Sequence, residues 1–243
     1  MEAARASDRI SVGGVLSEAF RIYGQHAAPL LGSAVVVFVV VGVVQGLLQA
    51  TDSALLGLIG GIVAFVGMAF YTGVVVKLVE DVRDGRRDFG VGELFRSVQE
   101  VLGALVVNSF LRAIAIGIGF VLLIVPGLIL LTVWAVTAPA IVVERRGAIE
   151  AFGRSWQLVR GQSWQVFGVL LVVFILVVIV AAIVGALGAG LGTGGAVVAA
   201  VIGNILVAPA FALASAVMFF DLGGGPATTP APPDAPAEPS PLV

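Results

Sequence analysis

Asn108 and Arg112 stand four residues apart in an otherwise apolar run, so on a helix they share a face. An amide and a guanidinium on one face can hold an anionic group such as a lipid phosphate. They can equally bond the carbonyls of neighbouring helices. Gln45 and Gln49 end an earlier apolar run, and Asn204 sits in a later one. In such surroundings amides more often make interhelical hydrogen bonds than bind ligands. Glu144, Arg154 and Trp156 lie between two apolar runs. A Glu144–Arg154 ion pair there is expected to be structural first, fixing one short helix against the end of another. The acids at 80, 81, 84 and 88 surround Arg83, Arg86 and Arg87, a mixed run that reads as a solvated loop rather than a cation site.

The residue types for enzymatic chemistry are sparse. His26 is the single histidine, and no HExxH, GxSxG or Walker A motif occurs. The absence of cysteine excludes disulfides, thiolate metal sites and a Cys nucleophile. No catalytic residue, cofactor site or metal site is therefore expected, and no cofactor.

The elements that must position these residues follow from composition. Of 243 residues, 59% are hydrophobic and 12% charged. Soluble domains carry about twice that share of charge, and a globule of this size cannot hide so much apolar surface. The bilayer is the solvent that fits. A spanning helix needs roughly 20 apolar residues, and six runs qualify: 29–49, 55–79, 101–124, 127–143, 164–187 and 196–220. The run from 101 to 143 is too long for one span, and Val125-Pro126-Gly127 is its natural turn. Pro139 and Pro209 mark kinks that would free carbonyls. Gly42/Gly46 and Gly57/Gly61 have the spacing of close helix packing.

Charge placement tests the count. Lys77 is the only Lys among 13 basic residues; the rest are Arg, a usage typical of GC-rich bacterial coding. Arg5, Arg9 and Arg21 precede span one. Lys77, Arg83, Arg86, Arg87 and Arg96 lie around the connection of spans two and three. Arg145, Arg146, Arg154 and Arg160 lie between spans four and five. The other three connections have none, and only Arg112 is inside a span. Basic connections stay in the cytoplasm. The expected location is thus the bacterial inner (cytoplasmic) membrane, multi-pass, with N- and C-termini cytoplasmic. Residues 1–28 lack the early apolar core of a cleavable signal, so span one is expected to act as an uncleaved anchor.

The three basic segments resemble one another. Glu18-Ala19-Phe20, Glu93-Leu94-Phe95 and Glu150-Ala151-Phe152 each precede an odd-numbered span. Apolar residues follow helical spacing around each: Val12, Val15, Leu16, Ala19, Phe20 and Tyr23; Val91, Leu94, Phe95, Val98, Val101 and Leu102; Ile149, Phe152, Trp156 and Val159. Short amphipathic helices of this kind lie in the membrane interface. The pattern fits an internal repeat, or convergence imposed by lipid. The expected fold is all-α: a polytopic membrane helix bundle of six transmembrane helices, arranged as three hairpins each preceded by an interfacial amphipathic helix. Residues 1–222 form the membrane domain. Residues 223–243 are Pro/Ala-rich and are expected to be a disordered cytoplasmic tail.

The chain also resembles the glycerophosphoryl diester phosphodiesterase membrane-domain family and its YciC-like six-span relatives. The resemblance rests on Pro126-Gly127, Trp134, Pro139, Glu144, Arg154-Ser155-Trp156, Leu158 and Gly161. Glu18-Ala19-Phe20-Arg21 with Pro29-Leu30, and Phe220-Asp221 at the last span, add to it, although a basic residue expected soon after Asp221 is missing. It covers most of residues 12–222. It implies six spans and leaves activity open, because the phosphodiesterase belongs to a soluble domain fused to some members.

The expected function is a non-enzymatic accessory or scaffold in the cell envelope, with the bilayer and another membrane protein as partners and no nucleic acid. A small-solute or lipid transporter is the alternative. Convergence of Gln45, Gln49, Asn108, Arg112 and Asn204 on one cavity would favour it. A lipid-acting enzyme ranks last, for want of paired acids or an interfacial His.

Overall fold

A computed structural model describes residues 10–49, 53–85, 91–190 and 192–225. Arg5, Arg9, Arg86, Arg87, Asp88, the side chain of Gln49 and the tail from 226 onward lie outside the described residues. The described chain is helical, with no strand. Ten helices follow in order: α1 Val12–Gln25, α2 Ala27–Gln49, α3 Ala54–Arg83, α4 Val91–Gln99, α5 Leu102–Leu122, α6 Ile124–Val133, α7 Thr137–Val142, α8 Glu150–Val159, α9 Ser163–Ala189 and α10 Gly192–Asp221. Six stretches are long and apolar enough to cross a membrane: α2, α3, α5, α6 with α7, α9 and α10. The protein is an all-α, multi-pass membrane bundle whose surroundings are lipid.

The short helices α1, α4 and α8 stand before α2, α5 and α9, and all three sit at one end of the bundle. The Ile10 N–H donates to Gln162 Oε1 (2.8 Å), joining the start of α1 to the start of α9. Arg145 donates to Glu100 (2.9 Å), joining the α7–α8 connection to the α4–α5 junction. Arg83 at the end of α3 pairs with Asp221 at the end of α10 (2.7 Å) and lies 5.1 Å over the Phe220 ring. The cation that the sequence lacks after Asp221 thus comes from another span. We call this the basic end.

Local chemistry starts and stops these helices. Ser11 Oγ accepts from the Gly14 N–H (2.9 Å) and caps α1. Its inward face is Val15 and Ile22, both buried, with Leu16, Ala19 and Tyr23 beside them. Phe20, placed on that face from spacing, is 61% exposed. On α8 the buried face is Ala151, Ser155 and Val159, and the Ile149 and Trp156 of the expected stripe point outward. The physical reason is the same twice. Each interfacial helix splits its apolar stripe, giving one part to the protein and leaving a large ring, Phe20 or Trp156, to the acyl chains.

The hairpin of spans three and four turns earlier than expected. Leu123 alone is extended between α5 and α6, and Pro126 sits in the first turn of α6. A first-turn N–H has no helical partner, so proline costs nothing there. Gly119 and Gly127 are where the two helices touch. A Cβ on Gly119 would stand 2.9 Å from Gly127 Cα, and one on Gly127 would stand 2.6 Å from the Phe120 ring. At Gly42, Gly46, Gly57 and Gly61 nothing among the described residues lies within 4 Å of such a Cβ, so those spacings mark no helix contact there.

The acids at 80 and 81 are not in a loop. α3 continues to Arg83, and Glu80 and Asp81 are buried on its last turns. Lys77, one turn earlier, binds both, at 2.9 and 3.4 Å. Turn spacing gives a single Lys reach to both carboxylates.

Candidate functional site

Span four is two helices rather than one, and proline chemistry sets where it breaks. The ring of Pro139 excludes the carbonyl four residues back, that of Ala135, and offers it no N–H. The helix stops at Val133 and resumes at Thr137. Backbone groups left open at membrane depth need other partners. Ser215 on α10 donates to Ala135 O (2.6 Å). Ser155 on α8 donates to Val133 O (2.7 Å) and accepts from the Val136 N–H (3.3 Å). Thr137 Oγ1 donates to Trp134 O (3.4 Å). Trp134 also packs edge-on against Phe152 of α8, centroids 4.7 Å apart. Two other helices, α8 and α10, close the break together with the span's own Thr137.

Arg112 meets the same break from α5. Its Nη1 donates to Trp134 O at 3.4 Å and to Thr137 Oγ1 at 3.5 Å. Both distances are at the long limit of a hydrogen bond. No carboxylate pairs with it among the described residues. A cavity of about 420 Å³ lies beside it, with Thr72, Ser109 and Ser215 as the other polar lining.

The remaining candidates go elsewhere. Asn108 is 2% exposed and donates to Ala148 O (2.8 Å), tying α5 to the connection before α8. Gln45 Nε2 donates to Gly60 O (3.3 Å) between α2 and α3, far from the break. Asn204 is exposed on α10 and is not among the cavity's lining residues. Of the four described amide and guanidinium positions, Gln45, Asn108, Arg112 and Asn204, only Arg112 lines the cavity.

Glu144, just beyond α7, is the hub of the rim. Its side chain is 5% exposed. Arg154 of α8 grips it through Nε and Nη2 (2.7–2.9 Å), and Arg146 adds a second cation (3.0 Å). Burial works against the charged carboxylate, but the two guanidiniums outweigh it and hold its pKa below the ordinary value. Arg145, between them, adopts φ +54°, which only the turn imposes. Trp156 is 53% exposed and faces away from this cluster.

The profile of a domain of unknown function, DUF7847, matches residues 54–189. The chain belongs to the DUF7847 family. No curated protein and no solved structure matches it. The DUF7847 match begins at the first residue of α3 and ends at the last of α9. It holds Asn108, Arg112, the broken span and the Glu144–Arg154 pair. α1, α2 and α10 lie outside it, so Ser215, which closes the break, comes from beyond the matched segment.

Sequence reasoning gave Ser155 no role beyond its place in the Arg154-Ser155-Trp156 motif, and missed Thr137 and Ser215. Single hydroxyls in apolar runs give little signal, although Pro139 itself announced a carbonyl in need of a donor.

Proposed function

We propose that this DUF7847 protein is a non-enzymatic accessory or scaffold of the bacterial inner membrane, with both termini in the cytoplasm. The observation that carries this reading is the commitment of its intramembrane polar groups. Asn108, Gln45, Ser155 and Ser215 each bond a backbone group of another segment. They lock helices to one another. The orientation rests on the basic connections. The sequence likeness to the glycerophosphoryl diester phosphodiesterase membrane domains accords with such a role and brings no phosphodiesterase activity with it.

A lipid or small-solute permease is the second reading. A broken span beside a cavity favours it, since transporters build midplane sites on interrupted helices.

Affinity capture from native membranes in mild detergent, followed by native mass spectrometry, tests the choice. A stoichiometric second membrane protein is expected. Solute or lipid flux through proteoliposomes holding this chain alone would overturn the accessory role. Orientation has its own test, because the cysteine-free chain accepts single reporters. Ser53→Cys should react with an impermeant maleimide in intact cells, and Glu100→Cys only after permeabilisation. The reverse pattern would invert the topology.

A further inference from the structure

Arg112 has more donors than the protein answers. A guanidinium carries five N–H groups. Among the described residues only Nη1 finds acceptors, two neutral oxygens at 3.4 and 3.5 Å. Arg112 lines the cavity of about 420 Å³. An intramembrane cation is costly without an anion, and Arg binds phosphate through its planar fork.

The walls specify more than a charge. Phe65, Ile116, Leu131 and Leu170 make most of the lining apolar. At the rim, Met68 is 41% and Phe211 36% exposed, so the mouth opens on the surface that faces acyl chains. Depth fits as well. Thr72 lies five residues from Lys77 on α3, and Ser215 six from Asp221 on α10. At 1.5 Å per residue the near edge of the cavity is roughly 8–9 Å from the charged layer of the basic end. A phosphate drawn slightly inward and an Arg reaching slightly outward can meet across that distance.

We propose that this cavity binds the phosphodiester of an anionic phospholipid from the leaflet at the basic end. Arg112 holds the phosphate, and an acyl chain leaves past Met68 and Phe211. The proposal goes beyond the accessory role and holds whether or not a protein partner exists.

The test uses the full chain, delipidated in neutral detergent, with native mass spectrometry as the readout. The probes are phosphatidylglycerol, phosphatidylcholine, palmitate and inorganic phosphate. One phosphatidylglycerol is expected to bind at least about tenfold more tightly than phosphatidylcholine. Arg112→Gln should weaken that binding by about tenfold or more, since a charged hydrogen-bonded contact is lost. Arg112→Lys, which keeps the charge and loses the fork, should fall between. Should Arg112→Gln fail to fold, Ala113→Phe carries the test: it fills the mouth from an exposed position and leaves the Arg112 hydrogen bonds intact. Equal retention of phosphatidylglycerol by wild type and Ala113→Phe would overturn the site. Preference for palmitate, or saturation by inorganic phosphate alone, would overturn the phospholipid as its occupant.

Discussion

The two ends of the bundle are held together differently. At the basic end α1, α4 and α8 wedge between the spans, and the broken fourth span and the ends of α3 and α10 are densely buried. Half or more of the most apolar 18-residue stretch of spans four and six is buried, against 17–22% of the corresponding stretch in the other four. Ion pairs and side-chain-to-carbonyl bonds cross between helices there. At the opposite end the helices are smooth and lipid-facing: Val40, Leu47, Leu58, Val121, Ile183 and Leu187 are all exposed. In lipid, apolar side chains gain little by touching one another, so association needs small residues or polar bonds. The basic end has most of the polar bonds. The opposite end relies on close contact at points such as Gly119–Gly127.

Removing one polar link at the basic end should therefore have the largest effect. Arg154→Leu leaves Glu144, 5% exposed, with only Arg146. We expect a loss of about 3 kcal/mol in detergent-extracted stability, the order found when a buried pair loses one partner. Chemical unfolding followed by circular dichroism would read it; no change would mean the pair holds nothing. The link also has a pH signature. Because the folded pKa of Glu144 lies below its ordinary value of 4.5, its contribution is complete above that value and is lost as pH falls through the folded pKa. Wild type and Glu144→Gln should thus differ at neutral pH and converge in acid.

At the opposite end the sharpest challenge is steric. Gly127→Leu drives a side chain into the Phe120 ring, which already lies 2.6 Å from a Cβ there. Overpacking of this kind costs roughly 2 kcal/mol. A smaller loss than for Arg154→Leu would support the contrast, and a larger one would make the glycine contact the main fastening of the bundle.

Much of this was legible in the residues. Hydropathy set the spans and periodicity set α1, α4 and α8, because lipid and interface each impose one pattern. What depended on three dimensions was not. The run at 80–88 looks the same whether the helix stops before it or, as α3 does, continues to Arg83 and buries Glu80 and Asp81. GxxxG spacing marks small residues and not which neighbour approaches, so Gly42/Gly46 stood out while Gly119 and Gly127, eight apart across a turn, did not. Asn108 and Arg112 do share a helix, but one ties down Ala148 and the other opens on a cavity. Spacing alone cannot separate those fates.

The smallest expected effect isolates the contrast best, because it compares one chemical bond in two settings. Ser215 and Gln45 each donate to a carbonyl of another helix, Ala135 O at the basic end and Gly60 O at the other. Gly60 lies inside the unbroken α3, so its carbonyl keeps a helical partner when Gln45 is removed. Ala135 precedes Pro139 by four residues, so its carbonyl has no helical N–H to return to. Gln45→Leu should therefore cost only about 0.5 kcal/mol, near the average for interhelical bonds in membranes. Ser215→Ala should cost about 1–2 kcal/mol, the penalty of a buried acceptor left open. Equal losses in parallel unfolding titrations would mean that the break is solvated or relaxes freely, and that the basic end owes its tighter packing to its ion pairs alone.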